Sequence, residues 1–182
     1  MKFCIAVFAI VLASMAATAF PSQAQTAWST WNATGSSCVL QSDSVSLAYQ
    51  SAVYGSVSFL SNKSGDIKLT CPVPFTRSSI QNNGLDWPDL HITYDNGSGG
   101  GCYVWADLLY GRVDSQFFGG DLGWIRADAA TSGKATASTG LSGSMDFTQY
   151  YYWIDVQLHR DTPTTNCNPN FMGAYLTPQQ IQ

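Results

Sequence analysis

The chain has 182 residues, 45% of them hydrophobic, and carries 12 acidic against 8 basic side chains, a net charge of −4. With that balance and no basic run it has nothing to neutralise a row of phosphates, so nucleic acid is not an expected partner. Every acid is Asp and Glu is absent; Glu favours helix, whereas Asp, Ser, Thr, Gly and the aromatics favour turns and strands, so few helices are expected.

Lys2 precedes an apolar run over residues 3–13, and small residues follow as far as Ala24. This is the layout of a secretory signal peptide, expected over residues 1–24 with cleavage after Ala24 and, as second choice, after Ala19. The run falls short of the ~20 residues a spanning helix needs, and no comparable run follows it. Cys4 lies at the start of the run instead of closing it, which is the wrong place for lipid attachment. The remaining 25–182 segment, 158 residues with 7 basic and 12 acidic side chains, is expected to be one domain without a membrane span, secreted or periplasmic.

Strands are expected near 28–32, 38–40 and 44–49. Residues 55–74, GSVSFLSNKSGDIKLTCPVP, then read as a hairpin: Val57 and Phe59 alternate with serines, 61–65 turn the chain, and Ile67, Leu69 and Cys71 alternate with Lys68 and Thr70. Pro72 and Pro74 are expected to end it. One helical turn is expected within 78–83. A second hairpin is expected around the Gly-rich tip 95–101, with Leu90, Ile92 and Tyr94 alternating on the strand leading into it and Cys102, Val104, Ala106 and Leu108 on the strand leading out. A phosphate cradle needs a Lys and a helix after the glycines, and a strand pattern follows here instead. Further strands are expected near 122–127, 144–147, 150–160 and 171–176, with turn-rich pieces at 82–88, 131–143 and 161–169. Many short alternating strands at roughly ten-residue spacing describe an all-β sandwich, of jelly-roll or immunoglobulin-like kind.

Four cysteines follow the leader: Cys38, Cys71, Cys102 and Cys167. An even number in an exported chain implies two disulfides. Three pairings are open and the sequence alone does not choose among them; Cys38 with Cys71 and Cys102 with Cys167 is favoured. No two of these cysteines have the C-x-x-C spacing of a zinc site.

The stretches SSCV at 36–39, GDIKLTCPV at 65–73, YYWIDVQL at 151–158 and FMGA at 171–174 together resemble a group of small exported bacterial proteins of unassigned function. The resemblance covers most of the mature chain. It implies a sandwich and a disulfide from Cys38 to Cys71, and brings no activity with it. The Cys38 to Cys71 region is also similar to spore coat U and chaperone-usher pilus subunits, although the C-terminal donor-recognition strand of pilus subunits is not evident in 175–182.

Reaction motifs are sparse. No G-x-S-x-G elbow is present, and oxidised cysteines are not nucleophiles. Paired carboxylates suited to glycoside hydrolysis can be drawn among the 12 Asp residues, but the usual acid, Glu, is missing. His91 and His159 are the only histidines. Asp89 and His91 share one strand face, as do Asp155 and His159; if those two strands were neighbours, the four side chains would converge as the metal centre of a metal-assisted hydrolase. In 148–160, TQYYYWIDVQLHR, one face holds Tyr152, Ile154, Val156 and Leu158. The other holds Tyr151, Trp153, Asp155, Gln157 and His159, and Trp105 occupies a similar place opposite Val104 and Ala106. Such a face is either cross-strand packing or a contact surface.

The sequence therefore describes an exported, non-catalytic β-sandwich with no cofactor and an interaction or structural role at the envelope or outside the cell. Its partner is unassigned, a cell-surface glycan or protein being the candidates. The candidate binding surface is Trp105, Tyr151, Trp153, Asp155 and His159. A carbohydrate-binding module using those aromatics is one alternative and requires the rings to be exposed and roughly coplanar. The metal-assisted hydrolase using His91 and His159 is another, and a surface-fibre subunit a third.

Overall fold

The computed structural model of the chain describes residues 31–51, 53–74, 89–97, 100–114, 118–128, 135–141, 145–163 and 166–177. The leader at 1–24, the start of the strand expected at 28–32, the helical turn expected in 78–83 and the turn-rich piece at 82–88 lie outside the described residues.

The described strands are β1 (Trp31–Thr34), β2 (Val39–Leu40), β3 (Ala48–Ser51), β4 (Ser56–Phe59), β5 (Gly65–Val73), β6 (Asp89–Gly97), β7 (Cys102–Arg112), β8 (Phe118–Asp128), β9 (Ala135–Gly140), β10 (Tyr150–Arg160) and β11 (Cys167–Thr177). A 3-10 turn, Gly35–Ser37, joins β1 to β2. The strands form two antiparallel sheets. One has six strands in the order β3-β4-β11-β6-β9, with β1 also paired to β11; the other has five in the order β2-β5-β10-β7-β8.

Alternation along the strands explains the stacking. Val57, Phe59, Leu90, Ile92 and Phe171 from the larger sheet meet Ile67, Leu69, Val104, Leu108, Ile154, Val156 and Leu158 from the smaller in one buried core. Fully burying each such side chain is worth roughly 1.5–3 kcal/mol. The disulfides have separate tasks. Cys38–Cys71 fixes the start of β2 to β5 within the five-stranded sheet, and Cys102–Cys167 ties β7 of that sheet to β11 of the other. Two glycines permit close approach around β11: a Cβ on Gly173 would run into the Ala33 carbonyl, and one on Gly35 into the Phe171 carbonyl.

Both expected hairpins are corrected. β4 and β5 fall in different sheets, as do β6 and β7. Each pair of strands spans the core from one sheet to the other, so its apolar residues face one another instead of lying side by side. Period-two hydrophobicity is the same in either arrangement, since it records which side chains point inward and not which backbone they pair with. Pro72 lies inside β5 and not at its end. It is exposed and sits past Thr70, where pairing with the two-residue β2 stops, so no neighbour on that edge needs its missing N–H.

Three shorter expectations also change. Residues 42–47 are turn instead of strand, because the buried Ser44 hydroxyl accepts the Lys68 N–H at 2.9 Å while its carbonyl accepts from Leu47 and Ala48. The described part of 144–147 is not strand. There Asp146 accepts the Thr148 N–H at 2.9 Å and hydroxyl at 2.6 Å, folding the chain, and Met145 drops into the core. Within 131–143 the chain forms β9 at the edge of the larger sheet, with the small residues Ala135 and Ala137 packed on the core.

Candidate functional site

The outer face of the five-stranded sheet collects most of the chemistry. Read across β5, β10, β7 and β8, its rows are Asp66–His159–Tyr103–Asp128, then Lys68–Gln157–Trp105–Arg126, then Thr70–Asp155–Asp107–Trp124. Beyond a register shift, Trp153 lies between Pro72 and Leu109, and Tyr151 lies opposite Gly111. Trp105, Tyr151, Trp153, Asp155 and His159, singled out from the sequence, all stand on this one face.

The rings of Tyr151 and Trp153 do not lie side by side in one plane. Tyr151 and Trp153 stack on one another, with centroids 5.3 Å apart and planes at 20°, and the Tyr151 ring lies where a Cβ on Gly111 would be. That pair covers the glycine and packs against itself. The face opens instead at a shallow depression of about 360 Å³ lined by Tyr103, Trp105, Trp124, Arg126 and Gln157. Trp124 is 57% exposed there. Sequence reasoning passed over Trp124 and Tyr103, although the alternation that turned Trp153 outward was present for both: Trp124 precedes the buried Ile125, and Tyr103 precedes the buried Val104.

Polar contacts brace one end of the depression. His159 Nδ1 lies 2.6 Å from Asp66 Oδ1 and its Nε2 2.8 Å from Asp161 Oδ1. Burial opposes the imidazolium, but the two carboxylates outweigh it and hold the His159 pKa above its ordinary value. The His159 ring stacks on Tyr103 at 4.7 Å, and from β8 the Arg126 guanidinium sits 4.3 Å over the same ring. Arg126 also binds Asp128 at 2.8 Å. Gln157 donates to Asp66 Oδ1 at 2.8 Å and to the Tyr103 hydroxyl at 3.3 Å. Arg126 and His159, which flank Tyr103, are thus already engaged with carboxylates.

Asp107 is the anomaly of this face. Although its side chain points outward, between the inward Ala106 and Leu108, it is only 9% exposed, and its Oδ1 is buried without a hydrogen-bond partner. Burial, reinforced by the charges of Asp121 and Asp155, pushes its carboxyl up to about 6.

The metal-assisted hydrolase expectation is corrected by topology. His91 is on β6 of the six-stranded sheet and His159 on β10 of the five-stranded sheet, and each points away from the core, so the two imidazoles occupy opposite outer faces of the sandwich. His91 stacks on Tyr175 at 4.5 Å and 4°, and its Nε2 lies 2.8 Å from the Thr177 hydroxyl. Burial lowers its pKa against the pull of Asp89. Among the described residues no three His, Cys or acidic side chains gather as a metal site, and no helix is long and apolar enough to cross a membrane.

No family model matches the chain, and no characterised protein matches its sequence. Among solved structures, it is similar to the CBM36-1 domain of a multidomain xylanase from the hindgut metagenome of Trinervitermes trinervoides (10% identity, TM-score 0.44, 84% of this chain and 100% of that one). It is also similar to the C-terminal CBM6 of LamC from Zobellia galactanivorans (11%, 0.45, 82% and 99%) and to the xylan-binding module CBM15 (14%, 0.46, 84% and 97%).

Proposed function

We propose that the protein is a non-catalytic binding module working outside the cytoplasm, and that the outer face of its five-stranded sheet takes an uncharged polysaccharide at Trp105 and Trp124. The observation that carries this reading is the exposed Trp124 indole bordering, with Trp105, an open depression edged by Gln157 and Arg126. Indole faces offer apolar area to the C–H faces of sugar rings while a few polar groups fix orientation. An uncharged ligand is favoured because Arg126 and His159 are bound to carboxylates and Asp107, Asp121 and Asp155 lie close by. A catalytic role for the Asp107–Asp155 pair is disfavoured, because a general acid must reach the bond it protonates and Asp107 is only 9% exposed. Two disulfides suit an oxidising compartment.

The test is binding of the purified protein to a glycan array and to insoluble neutral polysaccharides, repeated with Trp105→Ala and Trp124→Ala and with Tyr49→Ala in the other sheet as control. Retention that both indole variants abolish and the control keeps is the expected result. Retention unaffected by either indole variant, or no retention on any glycan, would discard the reading.

A further inference from the structure

Asp107 and Asp155 face each other across the β7–β10 ladder, a position in which opposed side chains on one face have Cβ atoms roughly 4.5–5.5 Å apart. Asp155 Oδ1 accepts the Thr70 hydroxyl at 2.8 Å, which leaves its second oxygen for another donor. Asp107 has no donor of its own: its Oδ1 is buried and unpartnered. The charged groups that face it are Asp155 from β10 and Asp121 from β8; Arg126, the cation on β8, is committed to Asp128. Two like-charged carboxylates so placed relieve their conflict by holding one proton between them. Trp124 stands directly opposite Asp107 on β8, and Trp105 is two residues away on the same strand and face. The carboxyl therefore stands in register beside the two indoles that border the depression.

We propose that Asp107 and Asp155 form a proton-sharing carboxyl pair on the aromatic face, and that the pair keeps that face closed and ready for ligand while it holds the proton and loosens it when the proton leaves. The regulatory half rests on the polysaccharide reading above. On acidification one proton from solvent binds Asp107, whose O–H donates to the free oxygen of Asp155. On its departure a buried, unpaired carboxylate remains beside two others, and it gains solvation by turning outward, which displaces the neighbouring Trp105 and Trp124. With the midpoint near 6, a face competent only when protonated binds as much as about thirtyfold more weakly at pH 7.5 than at pH 5, since apparent affinity scales with the competent fraction.

The experiment is an NMR pH titration of the full protein without ligand. It follows the Asp side-chain carboxyl carbons, with Asp107 assigned by its loss in Asp107→Asn, and the indole N–H signals of Trp105 and Trp124. The Asp107 carbon is expected to titrate near 6, both indole signals to follow the same midpoint, Asp107→Asn to abolish that indole transition, and Asp155→Asn to lower the Asp107 midpoint. An Asp107 midpoint near the ordinary 4, or indole signals that titrate unchanged in Asp107→Asn, overturns the proposal. Polysaccharide retention at pH 5 and 7.5 then separates the two readings: retention equal at both pH values refutes the gate while leaving the ligand face standing. Absence of retention at either pH refutes the ligand reading and the gate together, with the carboxyl pair still decided by its own titration.

Discussion

Asp107 and Asp155 stand directly opposite one another on the outer face of the five-stranded sheet, and only Asp155 has a hydrogen-bond donor, Thr70, assigned to it. The pairing has a stability signature. Unfolded Asp ionises near 3.8, whereas the native Asp107 carboxyl holds its proton up to about 6. Between those values the native state binds the extra proton, so stability falls as pH rises through the window and stays lower above it, by on the order of 3 kcal/mol. Asp107→Asn keeps a donor toward Asp155 and has no charge to bury. The variant is expected to be more stable than the parent at pH 7.5 by an amount that vanishes near pH 4, as read from urea midpoints at the two pH values. Equal stabilities at pH 7.5 would contradict this account of the carboxyl.

Trp124→Ala separates binding from folding. The indole is 57% exposed, so its removal is expected to shift the urea midpoint little, within about 0.5 kcal/mol. At the centre of a ligand face the same truncation costs about 2 kcal/mol or more, roughly thirtyfold in affinity. Affinity electrophoresis in polysaccharide gels, run beside denaturant melts, checks both halves.

The His159 clasp predicts the opposite kind of pH window from a hydrogen-bonded carboxylate. A histidine whose native pKa is raised contributes stability that is full below its unfolded value of 6.5 and lost as pH rises through the native value. For Asp66, burial opposes the carboxylate, but bonds from His159 and Gln157 prevail and lower its pKa. Its contribution is present above 3.8 and lost as pH falls through the native value. Because Asp66 and Asp161 are substantially exposed, screening limits the gain to about 1 kcal/mol or less. His159→Gln is expected to lose that amount at pH 5.5 and almost none at pH 9, measured by thermal melts in low salt.

The inter-sheet disulfide should matter most to the intact sandwich. Cys102–Cys167 closes a separation of 65 residues and joins the two sheets, whereas Cys38–Cys71 closes 33 within one sheet. Longer loops lose more unfolded-state entropy when closed. Replacing Cys102 and Cys167 together by Ser is expected to cost about 3–5 kcal/mol and the other pair somewhat less, by urea titration.

What the sequence made legible was the inside and outside of each strand. The expected strand 150–160 coincides with Tyr150–Arg160, because eleven residues of unbroken alternation admit one reading. Partners were not legible. Val57 and Ile67 alternate as a hairpin would, yet their strands belong to different sheets, since burial period carries no record of which edge is hydrogen-bonded. β9 was hidden because Ala135 and Ala137 are too small to stand out from a Ser/Thr/Gly run. At the site, the outward set on β10 was legible, but the opening itself was not. Trp105 and Trp124 are far apart in the chain and become neighbours only through the β7–β8 pairing. The separation of His91 from His159 likewise follows from sheet assignment alone.

The most direct measurement is the set of indole N–H cross-peaks in a ¹⁵N–¹H correlation spectrum as a neutral polysaccharide fragment is added. The signals of Trp105 and Trp124 are predicted to shift in a saturable manner while that of Trp31, buried on β1 beside β11 in the other sheet, stays fixed. Saturable shifts confined to the six-stranded sheet, or an unchanged spectrum with every neutral glycan, would contradict the assignment of this face as the ligand surface.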